Sequence, residues 1–231
     1  MTTTTQRADL QAQPPNGSHP LLAHLEAHRQ DVRNLLMQVL AGGGLTEEAY
    51  ARFLSFQAHQ TRGVQRHFYA VAGHDALARR RPLRDFLVRF ALEEEPHWQV
   101  AEADLRQLGH PLIAPPVEVD LWWAYFDRAI VEQPFIRLGA TAMLENLGGA
   151  MPSMQSGVLD RPFLRPDTTR FYELHRHEEH PHGEQVLAAL HAANPTAQEW
   201  QDLARGAEVA RRLHLGSLRW ALLGDAGRLA S

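Results

Sequence analysis

Residues 134–149 read PFIRLGATAMLENLGG, a stretch that opens on proline, closes on paired glycines and is apolar or small almost throughout. Proline at a first helical position and glycine just past the last one predict a helix from Pro134 to about Leu147. A helix without a polar face belongs among other helices. Its one acid is Glu145, the single carboxylate between Phe135 and Met151. Buried there, a carboxylate is costly unless an opposite charge or a metal ion meets it. Arg137, two turns earlier, is one partner on offer, and a metal is the other.

The neighbouring sequence supplies more helices. Ser18-His19-Pro20 reads as a cap and helix start, followed by Leu21, Leu22, Leu25, Val32, Leu35, Leu36 and Val39 at helical spacing and a stop at Gly42-Gly43-Gly44. Thr46 caps a second helix predicted to run to about Gly73. Pro82 opens a third, which runs to Leu108 with a kink at Pro96. After the loop HPLIAPPVEV come helices from about Asp120 to Glu132, from Pro134, and from Asp167 to about Ala192. A last helix opens on the Thr196-x-x-Glu199 capping box and continues to about Leu223. No period-two run of β-branched residues suggests a strand, so the expected fold is all-α, a compact seven-helix bundle. Residues 18–231 are expected to form one domain behind a disordered leader at 1–17.

Composition removes several chemistries from this frame. The 231 residues include no cysteine, so thiolate nucleophiles, thiolate-held iron–sulfur clusters and disulfides are excluded. All 23 basic residues are arginine, which excludes Schiff-base catalysis through lysine. A net charge of −4 without a basic run argues against nucleic acid as a partner. The lack of a long apolar run and of a secretory leader argues against a membrane and for a cytoplasmic protein. Histidine and carboxylate chemistry remains.

Those residues cluster in the sequence. On a helix, the first histidine of HRHEEHPH, His175, lies about 40° from Glu179 and about 20° from His182, so these three share a face while His177 and His180 point elsewhere. Upstream, Glu94 and His97 lie three apart on one face, with Glu93 reaching His97 at spacing four. Together with Glu145, three helices offer imidazole or carboxylate to an interior, a donor set suited to a divalent first-row metal. Bundled di-iron proteins use two Glu-x-x-His motifs plus single glutamates. This chain has Glu94-x-x-His97, Glu179-x-x-His182 and Glu145, but the middle of the second helix carries His59 and Gln60 where a ferritin-like layout needs a glutamate. Pro96 and Pro181 each precede a candidate ligand inside a helix, a broken local rule of the kind seen at functional sites.

In order and spacing, Glu-x-x-His, then PFIRLGATAMLENLGG, then His-x-x-x-Glu-x-x-His resembles the haem-oxygenase-like di-iron oxidases, also called iron-containing redox enzymes. The resemblance covers roughly residues 20 to 220. It implies the haem-oxygenase-like bundle and two non-haem ferrous ions held by Glu94, His97, Glu145, His175, Glu179 and His182. It also implies dioxygen as co-substrate. Glu179 stands where the family usually has aspartate, one methylene shorter, which bears on the bridging geometry. The activity implied is oxidation of a small organic substrate (an amine, amino acid or fatty acid) by hydrogen abstraction, oxidative cleavage or oxygen transfer. An electron donor, not identified by the sequence, would serve it, and a homodimer is an allowed assembly. Helix facing suggests His59, Gln60, Arg137 and Met143 as substrate-binding residues.

Two other readings are carried forward. HPLLAHLEAHRQDVRN also resembles the opening of true haem oxygenases, with His28 as the proximal haem ligand. A non-enzymatic helical protein that binds metal is the other. Trp122, Trp123, Tyr125 and Phe126 read as core, and His24, His67 and His74 as ordinary half-buried or exposed histidines.

Overall fold

A computed structural model of the protein describes residues 20–147, 160–174 and 182–225, all of them in helices, turns and loops. The predicted leader at 1–17, the Ser18 cap, the Gly148-Gly149 stop and the ligands His175 and Glu179 lie outside the described residues. Among the described residues no helix is long and apolar enough to cross a membrane.

Helix α1 is Pro20–Ala41, and its buried Leu21, Leu25, His28, Val32, Leu35 and Val39 recur every three to four residues. The second predicted helix is two in fact, α2 (Glu47–Thr61) and α3 (Gln65–Gly73). Thr46 caps α2 through its hydroxyl, which accepts from the Ala49 N–H at 3.2 Å. The chain leaves the helix at Arg62 and turns through Gly63, whose φ of +80° few other residues adopt. The third predicted helix is also divided, into α4 (Arg81–Glu94) and α5 (His97–Gln107), so Pro96 ends one helix and starts the next rather than kinking one. After Pro115-Pro116, α6 begins at Val117, earlier than predicted, and runs to Glu132; α7 is Pro134–Glu145. The predicted helix from Asp167 is represented by α8 (Arg170–Leu174) and α9 (His182–Ala192). Helix α10 (Ala197–Leu223) opens on the predicted Thr196/Glu199 capping box.

Helix α7 is central, as its composition predicts: every residue from Pro134 to Met143 is buried. Its closest neighbour is α10, against which α1, α2 and α6 also pack. Two glycines make the α7/α10 contact possible. A Cβ on Gly139 would lie 1.9 Å from the Leu203 carbonyl oxygen, and one on Gly206 would lie 1.8 Å from that of Ile136. Backbone meets backbone at this crossing. Side chains cannot fill a gap that does not exist, and small residues let the two axes approach.

Helix α8 is fixed from α5. Asp104, fully buried, accepts from the Phe171 N–H at 2.7 Å and from Arg170 Nε at 2.8 Å, capping the first turn of α8. The turn before it is held by the Thr168 hydroxyl, bonded to Phe163 and Arg165, and by Tyr50, which donates to the Thr168 carbonyl. The chain is thereby anchored one turn ahead of the histidine-rich stretch.

Candidate metal centre

Glu94 is the last residue of α4, Glu145 the last of α7 and His182 the first of α9, so three helix ends meet at one point. His182 Nδ1 lies 3.5 Å from Glu94 Oε1 and 3.4 Å from Glu145 Oε2. One ligand atom from each residue falls within 4.8 Å of the others. These separations exceed the 2.7–2.9 Å typical of a charged hydrogen bond. They match the roughly 3.4 Å between ligands set tetrahedrally about 2.1 Å from a first-row metal ion. The donors and their spacing therefore fit a divalent ion.

His97 meets the same glutamate from the other side. Its Nδ1 is 2.8 Å from Glu94 Oε2, as the three-residue spacing predicts. Burial of the His97 ring disfavours its charged form, but the hydrogen bond to Glu94 and the fields of Glu94 and Glu145 outweigh it, and its pKa is raised. Glu94 thus turns one oxygen toward His97 and the other toward His182 and Glu145. Glu93 is largely exposed yet reaches His182 Nε2 at 3.5 Å. His175 and Glu179 lie outside the described residues.

Local packing places His182. Its ring meets the edge of Phe90, one turn before Glu94, at 5.0 Å between centroids. The next residue, Gly183, touches the end of α7, where a Cβ would lie 2.8 Å from the Glu145 carbonyl oxygen and 2.9 Å from Asn146 Cγ. Asn146 is tied in turn to the Ala142 carbonyl at 2.8 Å, and Arg29 of α1 donates to the Asn146 carbonyl at 2.9 Å. A side chain at 183 would push His182 away from Glu145. Sequence reasoning overlooked Gly183, although a glycine in a predicted helix directly after a candidate ligand signals close approach.

Arg137 is buried, with Nε donating to His67 Nδ1 at 3.1 Å and Nη1 to the Thr141 hydroxyl at 2.7 Å. Because His67 accepts there, its proton sits on Nε2 and is donated to Asp127 Oδ1 at 2.7 Å. His67, expected to be ordinary and at least partly exposed, is a buried link in a chain from Asp127 to Arg137. Phe68, Trp122 and Phe126 present their rings to the guanidinium at 5.0, 5.9 and 5.8 Å. Burial lowers the Arg137 pKa to about 10, against the opposing fields of Glu145 and Glu94.

The other substrate-binding candidates are dispersed. Met143 and Gln60 are buried, while half-buried His59 engages the Ile113 carbonyl at 3.0 Å and accepts, through its own carbonyl, from Trp123 Nε1. His28 is fully buried, its Nε2 3.1 Å from Nδ1 of His214 on α10. For His28 to ligate a haem through Nε2, its contact with His214 would have to break.

No protein-family model matches the chain, and no curated protein matches it in sequence. In shape it is similar to the crystal structure of a domain of unknown function with a haem-oxygenase-like fold from Shewanella denitrificans OS217. The two share 20% identity over 87% of this chain and 89% of that one, with a TM-score of 0.74. The chain has an all-α, haem-oxygenase-like fold, with a Glu94–Glu145–His182 cluster able to hold a metal ion.

Proposed function

We propose that the protein is a non-haem di-iron oxidase or oxygenase that acts with dioxygen on a small organic substrate. The observation carrying this reading is the convergence of Glu94, Glu145 and His182 from three helix ends at separations that suit one metal ion. His97, whose Nδ1 lies 2.8 Å from the second oxygen of Glu94, would together with Glu94 help to hold a second ion. His175 and Glu179 complete the set by their sequence spacing. When bound, ferrous iron supplies the one-electron chemistry and the reactivity toward dioxygen that no side chain here provides. The chain's own residues do the rest. Phe90 and Gly183 fix the His182 ring, the Asn146 and Arg29 contacts fix the end of α7 beneath Glu145, and the His97 imidazole sets which way the Glu94 carboxylate faces.

Anaerobic titration with ferrous iron tests the reading, with about two ions per chain expected, as in bundled di-iron carboxylate proteins. Glu145→Ala and His182→Ala should each weaken binding by about tenfold or more, and Glu95→Ala, an exposed neighbour, should not. Admitting oxygen with a panel of amines, amino acids and fatty acids should give iron-dependent oxygen uptake. Iron binding unchanged in Glu145→Ala would overturn the site. Binding without oxygen uptake on any substrate would favour the non-enzymatic metal-binding reading.

A further inference from the structure

Helix α4 carries its charges against its own dipole. It opens on Arg81 and Arg84 and closes on Glu93, Glu94 and Glu95, with no acid in its first turn and no base in its last. The macrodipole favours the reverse, acids at the start and bases at the end. Glu93 and Glu94 serve the metal cluster. Arg81, Arg84 and Glu95 do not. At 100° per residue these three lie with Leu92 within about 40° of Val88 on the helix surface, and all five are exposed. Val88 is 43% exposed and Leu92 58%. Glu95 continues the stripe because its backbone is still helical, with φ −56° and ψ −43°. Beside the stripe, a groove of about 230 Å³ opens between α3 and α4, with Tyr69, Arg84, Asp85 and Val88 in its walls.

We infer that this face joins two copies of the chain, α4 lying antiparallel to α4 of the partner about a two-fold axis at Val88. Pairing there sets Arg81, seven residues before the axis, against the partner's Glu95, seven after it, and Arg84 against the partner's Leu92, each four away. The partner's Leu92 thereby comes over the groove that Arg84 and Asp85 line. A two-fold contact must be self-complementary, and a stripe with a basic start, an apolar middle and an acidic end matches itself only when antiparallel. The two dipoles are then opposed, and the charges that oppose each helix's own dipole meet a complementary helix end. One helix about 20 Å long is a small footprint for a protein interface, so the dimer is concentration-dependent.

Sedimentation equilibrium of the full chain over about 1–200 µM tests this, with a monomer–dimer equilibrium expected inside that range. Val88→Arg puts two like charges together on the axis and should leave a monomer throughout. Arg81→Glu and Glu95→Arg should each weaken the dimer about fivefold or more, and the two together should restore it, since the swap rebuilds both pairs with reversed sign. These positions are exposed, and unchanged far-UV circular dichroism shows that the fold is kept. The absence of cysteine adds a covalent readout. Val88→Cys should give a disulfide-linked dimer under diamide, and Val131→Cys, at a position 73% exposed on α6, should not. A chain monomeric at about 200 µM, a dimer that survives Val88→Arg, or equal crosslinking at the two positions overturns the inference.

Discussion

Gly206→Ala is expected to cost about 3 kcal/mol or more of folding stability, and Gly206→Val to prevent folding. The added Cβ would sit 1.8 Å from the Ile136 carbonyl oxygen. That oxygen belongs to the backbone of a helix buried on every side, so no rotamer change relieves the contact. The helices must move apart by more than an ångström, opening the core on both flanks, and Gly139→Ala should act alike through Leu203. Gly73→Ala is the control, because a Cβ there meets nothing within 4 Å. It should be neutral or slightly stabilising. Urea denaturation of the three variants measures the difference. A Gly206→Ala midpoint equal to that of the wild type would show that α7 and α10 do not cross in contact.

The metal-free protein should also lose stability between pH 6.5 and pH 4. Burial drives the pKa of His28 from 6.5 to about 4, only partly offset by the nearby Asp31 charge. Burial likewise takes His67 to about 4, and His214 well below its ordinary value. In this window the unfolded chain binds protons that the folded chain refuses, so stability falls as pH falls. For His28 alone this depression corresponds to about 3 kcal/mol, fully lost only below pH 4. His97 works in the opposite direction, since its raised pKa makes the folded state the better proton binder. Three depressed histidines against one raised leave a net loss. Chemical denaturation at half-unit steps should show the midpoint falling through this range, and His214→Leu should flatten the curve by removing both an acid-sensitive ring and its contact with His28. A wild-type midpoint constant from pH 7 to 4.5 would mean that these rings are not held neutral in the fold.

Both effects arise from features that sequence reading passed over, for a physical reason. Helical periodicity, the caps at Thr46 and Thr196 and the proline at 134 act over a few residues, so the helices and their class are legible locally. The Glu94–His97 pair was legible on the same grounds, being a spacing within one turn that survives the break at Pro96. The breaks themselves were less so. The apolar rhythm continues across Gly63, and the helix ends there through an extended Arg62 and a positive φ at Gly63, neither of which one sequence displays. Tertiary proximity was legible only where chemistry demanded it. A lone acid in an apolar helix called for a partner, and His182 Nδ1 lies 3.4 Å from Glu145 Oε2. Nothing comparable announced that His67 supports Arg137, that His28 meets His214, or that Gly139 and Gly206 face each other across a crossing. These pairs are separated by 70, 186 and 67 positions.

The central claim is that three helix ends build a metal centre, and anomalous diffraction from crystals soaked anaerobically in ferrous iron tests it most directly. The account predicts an iron peak about 2.0–2.3 Å from ligand atoms of Glu94, Glu145 and His182. Crystals that take up iron elsewhere and leave these three side chains bonded only to one another would contradict it.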